Sequence, residues 1–423
     1  ELIQVKQARN DQLRRANSPI SANSVYSVYK DNKKRLSVRG NPNLSNVVTI
    51  MIGVRNPSKQ NNIISDDDGM PKSGEIWVNE LRLSDFKEEG GWAARGRLSA
   101  RLADLGMVNL SGNISTPGFG SIEKKVNERS KEEVVQYDLS TNLDLGKFFS
   151  DEAEISIPMY AGYSESFINP EYNPLEPDIP LDEAIKQADT KAEKDSIKNI
   201  AQDYTQRKSL NFTNVKINKR GEKPRIYDPA NFSVSYSYSE VYARDINTEY
   251  DILRNYRGAF SYIYNTRPKT ITPFRKAKGI LNWKALALIK DFNFNYMPSS
   301  FSFRTDMYRK YQSNKTRNIY NPEIIIEPTY DKQFVWNRNY DLQWDITRSL
   351  KLDFSASNIA RIDEPYGEVN RQNRDTYEHW RDSVWNNILN FGRNTQYHHN
   401  INATYRVPIN KIPLLDWTSV SAR

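Results

Sequence analysis

Residues 232–239 read Phe-Ser-Val-Ser-Tyr-Ser-Tyr-Ser, so an extended chain places Phe232, Val234, Tyr236 and Tyr238 on one face and Ser233, Ser235, Ser237 and Ser239 on the other. Alternation with period two specifies a β-strand with two different neighbours. The pattern recurs elsewhere. From Trp92 onward Ala94, Gly96, Leu98, Ala100 and Leu102 share a face, while Arg95, Arg97 and Arg101 occupy the opposite one. Leu342, Trp344 and Ile346 alternate in the same way with Asp341, Gln343, Asp345 and Thr347. Taken one at a time, such strands fit a transmembrane β-barrel with a wet lumen or a soluble antiparallel sheet with one solvated face.

Composition favours the barrel. The 423 residues are only 38% apolar, yet 12% are aromatic and 25 are tyrosine. A mean hydropathy of −0.76 is low for a packed globule and ordinary for a barrel, whose lumen is wet and whose rims carry aromatic girdles. The aromatic content also argues against disorder. The longest apolar run, 47–54, falls far short of the roughly 18 residues that mark a membrane-spanning helix. With no cysteine, disulfides and thiolate chemistry are excluded within these residues. The formal charge of +8, from 60 basic and 52 acidic residues, is interspersed in sign and forms no basic stripe, so nucleic acid is not an expected partner. The chain opens at Glu1 without methionine and closes on what reads as the start of a strand, so it is expected to be a section of a longer polypeptide.

Alternating stretches predict about eleven strands and the start of a twelfth: 94–102, 107–115, 134–145, 153–164, 209–217, 231–242, 256–266, 291–309, 334–346, 350–357 and 395–407. Within 291–309 the apolar positions change parity after Met297-Pro298-Ser299-Ser300, which reads as a bulge in one long strand. Short links at 103–106, 146–152, 347–349 and 408–416 alternate with long ones at 116–133, 165–208 and 358–394, as periplasmic turns and extracellular loops do in outer-membrane barrels. Residues 91–423 are therefore expected to form barrel strands. Residues 1–90, with 47–54 and 76–78 apolar on both faces, are expected to form a compact β subdomain or cap-like region on the external side or in the wall. The insertion at 165–208 reads as partly helical, with an amphipathic helix over 182–206 opened by Asp182 and Glu183.

Catalytic signals are scarce, and no enzyme activity or cofactor is expected. His398 and His399 are adjacent in an alternating run and so point to opposite faces. Asp66-Asp67-Asp68-Gly69 lacks the alternating ligands and distal glutamate of a calcium loop and reads as a solvated turn. Gly118-Phe119-Gly120 lacks the remaining residues of a nucleotide fingerprint. The lumen-facing candidates are Arg95, Arg97, Arg101, Ser233, Ser235, Ser237, Asp341, Gln343 and Asp345. Burying an arginine in lipid costs about 2–4 kcal/mol at the midplane, which assigns these faces to water.

Several ordered strings carry a resemblance. Residues 40–44 (Gly-Asn-Pro-Asn-Leu), the run 47–54, and 74–83 (Gly-Glu-Ile-Trp-Val-Asn-Glu-Leu-Arg-Leu) are three of them. Further ones are 91–94 (Gly-Trp-Ala-Ala), 115–125 (Ser-Thr-Pro-Gly-Phe-Gly-Ser-Ile-Glu-Lys-Lys) and 173–181 (Asn-Pro-Leu-Glu-Pro-Asp-Ile-Pro-Leu). Together they resemble the SprA/Sov family, the outer-membrane translocon of the type 9 secretion system in Bacteroidota. The resemblance implies that this all-β chain is a section of a very large antiparallel transmembrane β-barrel in the outer membrane of a Gram-negative cell, conducting folded proteins to the surface. It also implies a PorV-like smaller barrel subunit, a periplasmic plug protein, secreted cargo with C-terminal signal domains, contact with outer-membrane lipid and, in gliding species, export of adhesins. The competing readings are a TonB-dependent or other nutrient transporter, which would carry a plug domain and an energy-coupling box, and a soluble β-rich surface adhesin.

Overall fold

The computed structural model describes residues 1–14, 20–21, 23–30, 34–40, 42–44, 47–61, 68–80, 82, 89–125, 128–218, 225–275, 286–319, 324–412 and 415–423. They gather into two compact units, one of Glu1–Ala94, Ile114–Val135 and Phe167–Asp203, the other of Arg95–Asn113, Gln136–Ser166 and Tyr204–Arg423. In the first unit helix α1 (Leu2–Arg14) is followed by a hairpin of β1 (Tyr26–Lys30) and β2 (Lys34–Val38). The runs 47–54 and 76–78 form no strand and are exposed, Met51 and Trp77 almost completely, in place of the expected buried β subdomain. Apolar composition alone does not make a strand. A hydrogen-bonding neighbour is required, and no strand among the described residues pairs with either run.

The chain continues through β3 (Ala93–Leu102), β4 (Gly106–Ser115), β5 (Glu132–Asp144), the two-residue β6 (Ile155–Ser156) and β7 (Pro158–Pro170). The insertion that follows holds the small pair β8 (Tyr172–Asn173) and β9 (Glu176–Pro180), then α2 (Leu181–Gln187) and α3 (Lys191–Ala201). The single helix expected over 182–206 is thus two. Thr190 caps α3 in a reciprocal box with Glu193, which stops one helix and starts the next. From Asp203 the chain is already strand. The insertion anchors α1: Lys6 Nζ meets Asp178 Oδ1 at 2.7 Å with both side chains 3% exposed, and Asn10 donates to Glu176 at 2.7 Å. Arg9, also buried, donates to the carbonyl of Gly40.

Seven more strands complete the chain: β10 (Asp203–Ile217), β11 (Phe232–Arg244), β12 (Thr248–Asn265), β13 (Ser300–Thr316), β14 (Thr329–Trp344), β15 (Leu350–Arg361) and β16 (Arg393–Val407). A short eighth, β17 (Val420–Ala422), stands where the twelfth strand was expected to start. Helix α4 (Ala287–Lys290) precedes β13, and α5 (Arg374–Leu389) lies between β15 and β16. Among the described residues the strands form one thirteen-stranded antiparallel sheet in sequence order from β3 to β17, with β6 alone off the path against β10. No helix among these residues is long and apolar enough to cross a membrane.

Several strands are longer than alternation indicates, always at the same edge of the sheet. β10 begins at Asp203 rather than 209, β12 at Thr248 rather than 256, and β14 at Thr329 rather than 334, while β13 ends at Thr316 rather than 309. The extra residues are mostly polar, and their aliphatic side chains, Ile252 and Leu253, are adjacent and so fall on opposite faces, which leaves no periodic signal. The other edge supplies a correction. Residues 291–299 are not the first half of a bulged strand; β13 starts at Ser300. The segment runs under the 345–349 turn, where Asn295 N donates to Ile346 O at 2.8 Å, Trp344 Nε1 to Asn295 O at 3.0 Å, and Phe294 bridges Ile271. Link lengths alternate less strictly than expected: 245–247 is a tight turn at the edge that carries the long links, and 266–299 is long at the edge of the tight ones. Asp245 makes the tight turn possible, its Oδ1 accepting the amides of Asn247 and Thr248 at 2.7 Å each.

One irregularity keeps the faces in phase. In β10 the apolar residues change parity between Phe212 and Val215, and the register shifts at the same place: Phe212 opposes Tyr236 and Val215 opposes Val234. The extra residue is a bulge in which Asn214 has φ +55° and donates its amide to Ser235 Oγ at 2.8 Å. Asn214→Gly is therefore expected to leave the urea midpoint of the full-length protein unchanged or slightly raised. Asn214→Val, with a branched Cβ in the left-handed region, is expected to lower stability by about 1–2 kcal/mol.

Candidate functional site: the two faces of the sheet

Register places side chains from many strands in rows. One such row on the first face is Ser233, Ser261, Arg304, Asn339, Ser357 and His398, every one polar, contributed by β11 through β16. The neighbouring row is Ser235, Ala259, Asp306, Asn337 and Ile359. Hydrogen bonds cross the strands on this face: Ser302 Oγ donates to Asp341 Oδ2 at 3.1 Å, Ser237 Oγ to Asn211 Oδ1 at 2.6 Å, and Tyr308 OH to Asn255 Oδ1 at 2.9 Å. Arg257 and Asp306 approach at 3.5 Å, and Lys310 and Asp331 at 2.8 Å. Asp306, Asp331 and Asp341 are thus engaged by cations, hydroxyls or amides, an arrangement that holds water.

The sequence candidates divide as follows. Ser233, Ser235, Ser237, Asp341 and Gln343 lie on this one polar face, the last opposite Ser300. Asp345 lies beyond the end of β14, in the turn, 3.3 Å from Lys351. Arg95, Arg97 and Arg101 are exposed on β3, on the side of Ser99, whose Oγ donates to Asn109 Oδ1 of β4 at 2.8 Å. His398 joins the polar row, while His399 stacks on Tyr397 with ring centroids 5.4 Å apart. Asp66 and Asp67 lie outside the described residues; Asp68 pairs with Lys72 at 2.6 Å. Among the described residues no three His, Asp or Glu side chains come together as a metal-holding group.

The second face is apolar over one half of the strands. Its rows include Phe232, Tyr262, Phe303, Tyr340 and Ala356, then Tyr264, Phe301, Leu342, Phe354 and Ile401. Aromatic rings step across it: Phe232 to Tyr262 at 5.0 Å, Tyr262 to Phe301 at 5.9 Å, and Phe303 to Tyr340 at 5.0 Å. Val234 is 49% exposed and Ile401 59%. The apolar zone stops at a row of Lys208, Glu240, Arg254, Tyr311 and Lys332. There Glu240 accepts from Arg254 Nε at 2.6 Å, Tyr238 OH at 2.8 Å and Lys208 Nζ at 3.2 Å.

Beside that boundary α5 packs on the same face, with Val384, Trp380 and Ile388 against Phe334, Ile362, Met307 and Trp336. Glu364 accepts two parallel bonds from Arg309 at 2.7 Å each and a third from Trp380 Nε1 at 2.7 Å. Arg338 is buried between the rings of Trp336 and Phe391 and donates to Asn358, Asn394 and the Phe391 carbonyl. Sequence reading missed Arg309, Glu364 and Arg338, because partners this far apart in the chain leave no local pattern.

Comparison with known proteins adds one match. Residues 1–185 match the SprA_N family model, described as a motility related/secretion protein. No curated protein matches the chain.

Two predictions test the α5 attachment. Glu364→Ala leaves the Arg309 guanidinium without its counter-charge in a nearly buried place, a loss of about 3 kcal/mol or more, so amide exchange over 374–389 should quicken by roughly a hundredfold. Hydrogen bonds from Arg393, at 2.9 Å to each oxygen, hold the Asp363 carboxyl below its ordinary 3.8. A depressed carboxylate contributes stability that is present above 3.8 and lost as pH falls through the lower folded value. Protease nicking of the 362–392 loop is therefore expected to rise only in that acid range, and Asp363→Asn should show the acid-range susceptibility at neutral pH.

Proposed function

We propose that this chain, whose residues 1–185 match the SprA_N model of motility related/secretion proteins, is of the SprA/Sov kind and that its sheet is a section of the wall of an outer-membrane β-barrel, the protein-conducting channel of the type 9 secretion system. The observation that carries this reading is the phase-locked pair of faces. Rows of Ser, Asn, Asp and Arg would line the lumen, and rows of Phe, Tyr, Leu and Ile would meet lipid. A soluble sheet with one wet face keeps its apolar face covered. Here Val234, Tyr397 and Ile401 stand open, and a continuous exposed apolar patch of this kind marks an interaction or membrane surface.

Strand lengths fit the proposal. Strands of 13 to 18 residues in β11 to β14 exceed the ~9–11 needed to cross a bilayer, and the surplus lies beyond the charged row of Glu240 and Arg254, where polar residues predominate and the apolar alternation ends. The apolar band would sit in the hydrocarbon, and the strand ends beyond the charged row would project outside it. Conduction would be passive and gated by partners: a PorV-like barrel subunit receiving cargo, and a periplasmic plug closing the pore. Cargo would be folded proteins with C-terminal signal domains.

These 423 residues contain no cysteine, so a single introduced thiol is the only one within them. Ser235→Cys is expected to react with a water-soluble maleimide at least tenfold faster than Tyr236→Cys in the membrane-embedded full-length protein; equal rates would contradict the assigned faces. Coupling a bulky reagent to Ser237→Cys should reduce export of type 9 cargo by intact cells. Unimpaired export with the label in place would remove the pore role while leaving the barrel.

A further inference from the structure

Two cavities adjoin at the edge of the second unit where residues 272–275, 288–293, 408–411 and 418–421 come together. The larger, about 890 Å³, is lined by Arg275, Lys290, Arg348, Arg406 and Lys411, with Asp291 the only carboxylate on its wall among the described residues. That carboxylate is already held by Lys411 Nζ at 2.7 Å. Among the described residues the guanidinium groups of Arg275, Arg348 and Arg406 take no side-chain hydrogen bond or ion pair. The backbone that carries two of them is tied in place: Arg348 N donates to Asn293 Oδ1 at 2.8 Å, and Arg406 N to Ser349 O at 2.8 Å.

The smaller cavity, about 420 Å³, shares Asp291, Asn293, Ser349, Pro408 and Lys411 with the first and adds Leu288, Phe292, Leu350 and Tyr405. Leu350 and Tyr405 oppose each other across β15 and β16 and continue the apolar face. Tyr405 and Arg406 are consecutive strand residues, so the end of β16 sends one side chain toward each chemistry. The result is one amphipathic cleft: cationic and roomy at one end, apolar where it meets the greasy face.

We propose that this cleft binds an anionic phospholipid, the guanidinium groups holding the phosphate-bearing headgroup and the Leu288–Phe292–Leu350–Tyr405 end receiving the start of the acyl chains. Arginine pairs with phosphate oxygens through parallel N–H donors, and basic pockets beside an apolar membrane surface are suited to such headgroups. Among the described residues the cationic cavity has no aromatic lining on which a base could stack, which favours a headgroup over a nucleotide. The inference rests on the membrane reading of the sheet.

The test uses the full-length protein extracted in neutral detergent, exchanged against equal amounts of phosphatidylglycerol and phosphatidylcholine, with retained lipid counted by native mass spectrometry. Phosphatidylglycerol should be retained at least tenfold over phosphatidylcholine. The preference should vanish in Arg275→Ala/Arg348→Ala/Arg406→Ala and largely persist in Arg348→Lys/Arg406→Lys, which keeps the charge and controls for folding. Equal retention of both lipids by the unmodified protein, or a preference that survives the triple alanine variant, would overturn the assignment. Displacement of the lipid by millimolar inorganic phosphate would show a free-anion site and overturn the headgroup. A protein that needs detergent yet shows no lipid preference loses this inference alone, whereas one recovered in water without detergent loses the membrane reading and this inference with it.

Discussion

Everything distinctive about this sheet depends on strand register. Side chains alternate with period two, so a slip of one residue between any two strands would carry a whole strand's aromatic residues to the polar face. From β11 to β15 the pairing keeps Phe232, Tyr262, Phe303, Tyr340 and Ala356 on one side and Ser233, Ser261, Arg304, Asn339 and Ser357 on the other. Where the amino-acid pattern itself slips, the backbone absorbs the slip. Asn214 is one such place, and the shift between Ile359 and Ala360 against β16 is another. A bulge costs local ladder hydrogen bonds, but the alternative costs the burial or hydration of every side chain beyond it.

Little of the second unit is held by a conventional core. Among the described residues its one buried apolar cluster joins α5 to the sheet through Phe334, Ile362 and Val384. The remaining cohesion comes from continuous backbone ladders, from cross-strand ring pairs such as Phe303 with Tyr340, and from charge-assisted bonds at the end of the apolar zone. Cross-strand pairs are worth roughly 0.2–1 kcal/mol each, so no single one decides stability while their sum does. Arg309 with Glu364 is different in kind: a bidentate pair with a third donor from Trp380, at a place where losing one partner strands the other charge.

How far the sequence revealed this architecture follows from the same physics. Strand positions were legible wherever one face is apolar, because only there does the alternation exist; 231–242 and 350–357 lie within β11 and β15 but for a residue at one end. Beyond the row of Lys208, Glu240 and Arg254 most residues are polar and the few aliphatic ones, such as Ile252 and Leu253, fall on both faces, so the alternation disappears and the first residues of β10, β12 and β14 could not be read. Residues 291–299 misled for the opposite reason. Phe292, Phe294 and Tyr296 alternate, but Asn295 spends its backbone on Ile346 and its side-chain amide on the Asp345 carbonyl, so the segment folds beneath a turn. The run 47–54 has strand composition and no partner, which composition cannot disclose. Contacts such as Arg309 with Glu364 and Arg338 with Asn394 depend on the completed register and have no local signature.

The polar face has a further property that bears on the proposed passage. Four of its carboxylates are engaged within the face itself: Asp341 by Ser302, Asp306 by Arg257 and Asn337, Asp251 by Gln312, Asp331 by Lys310. A wall of unpaired like charges would attract every oppositely charged protein that entered and hold it, since desolvated charge pairs are strong and specific. A wall whose charges are mixed in sign and already engaged presents water and short hydroxyl or amide groups, so it has little to gain from exchanging its own bonds for those of a passing protein. The serines opposite the aromatic positions of β11 serve this as well as the charges do, being small, hydrated and unable to bury apolar surface. On the proposed membrane reading, the alternation that would set one face toward lipid would also leave the other suited to passage rather than to capture.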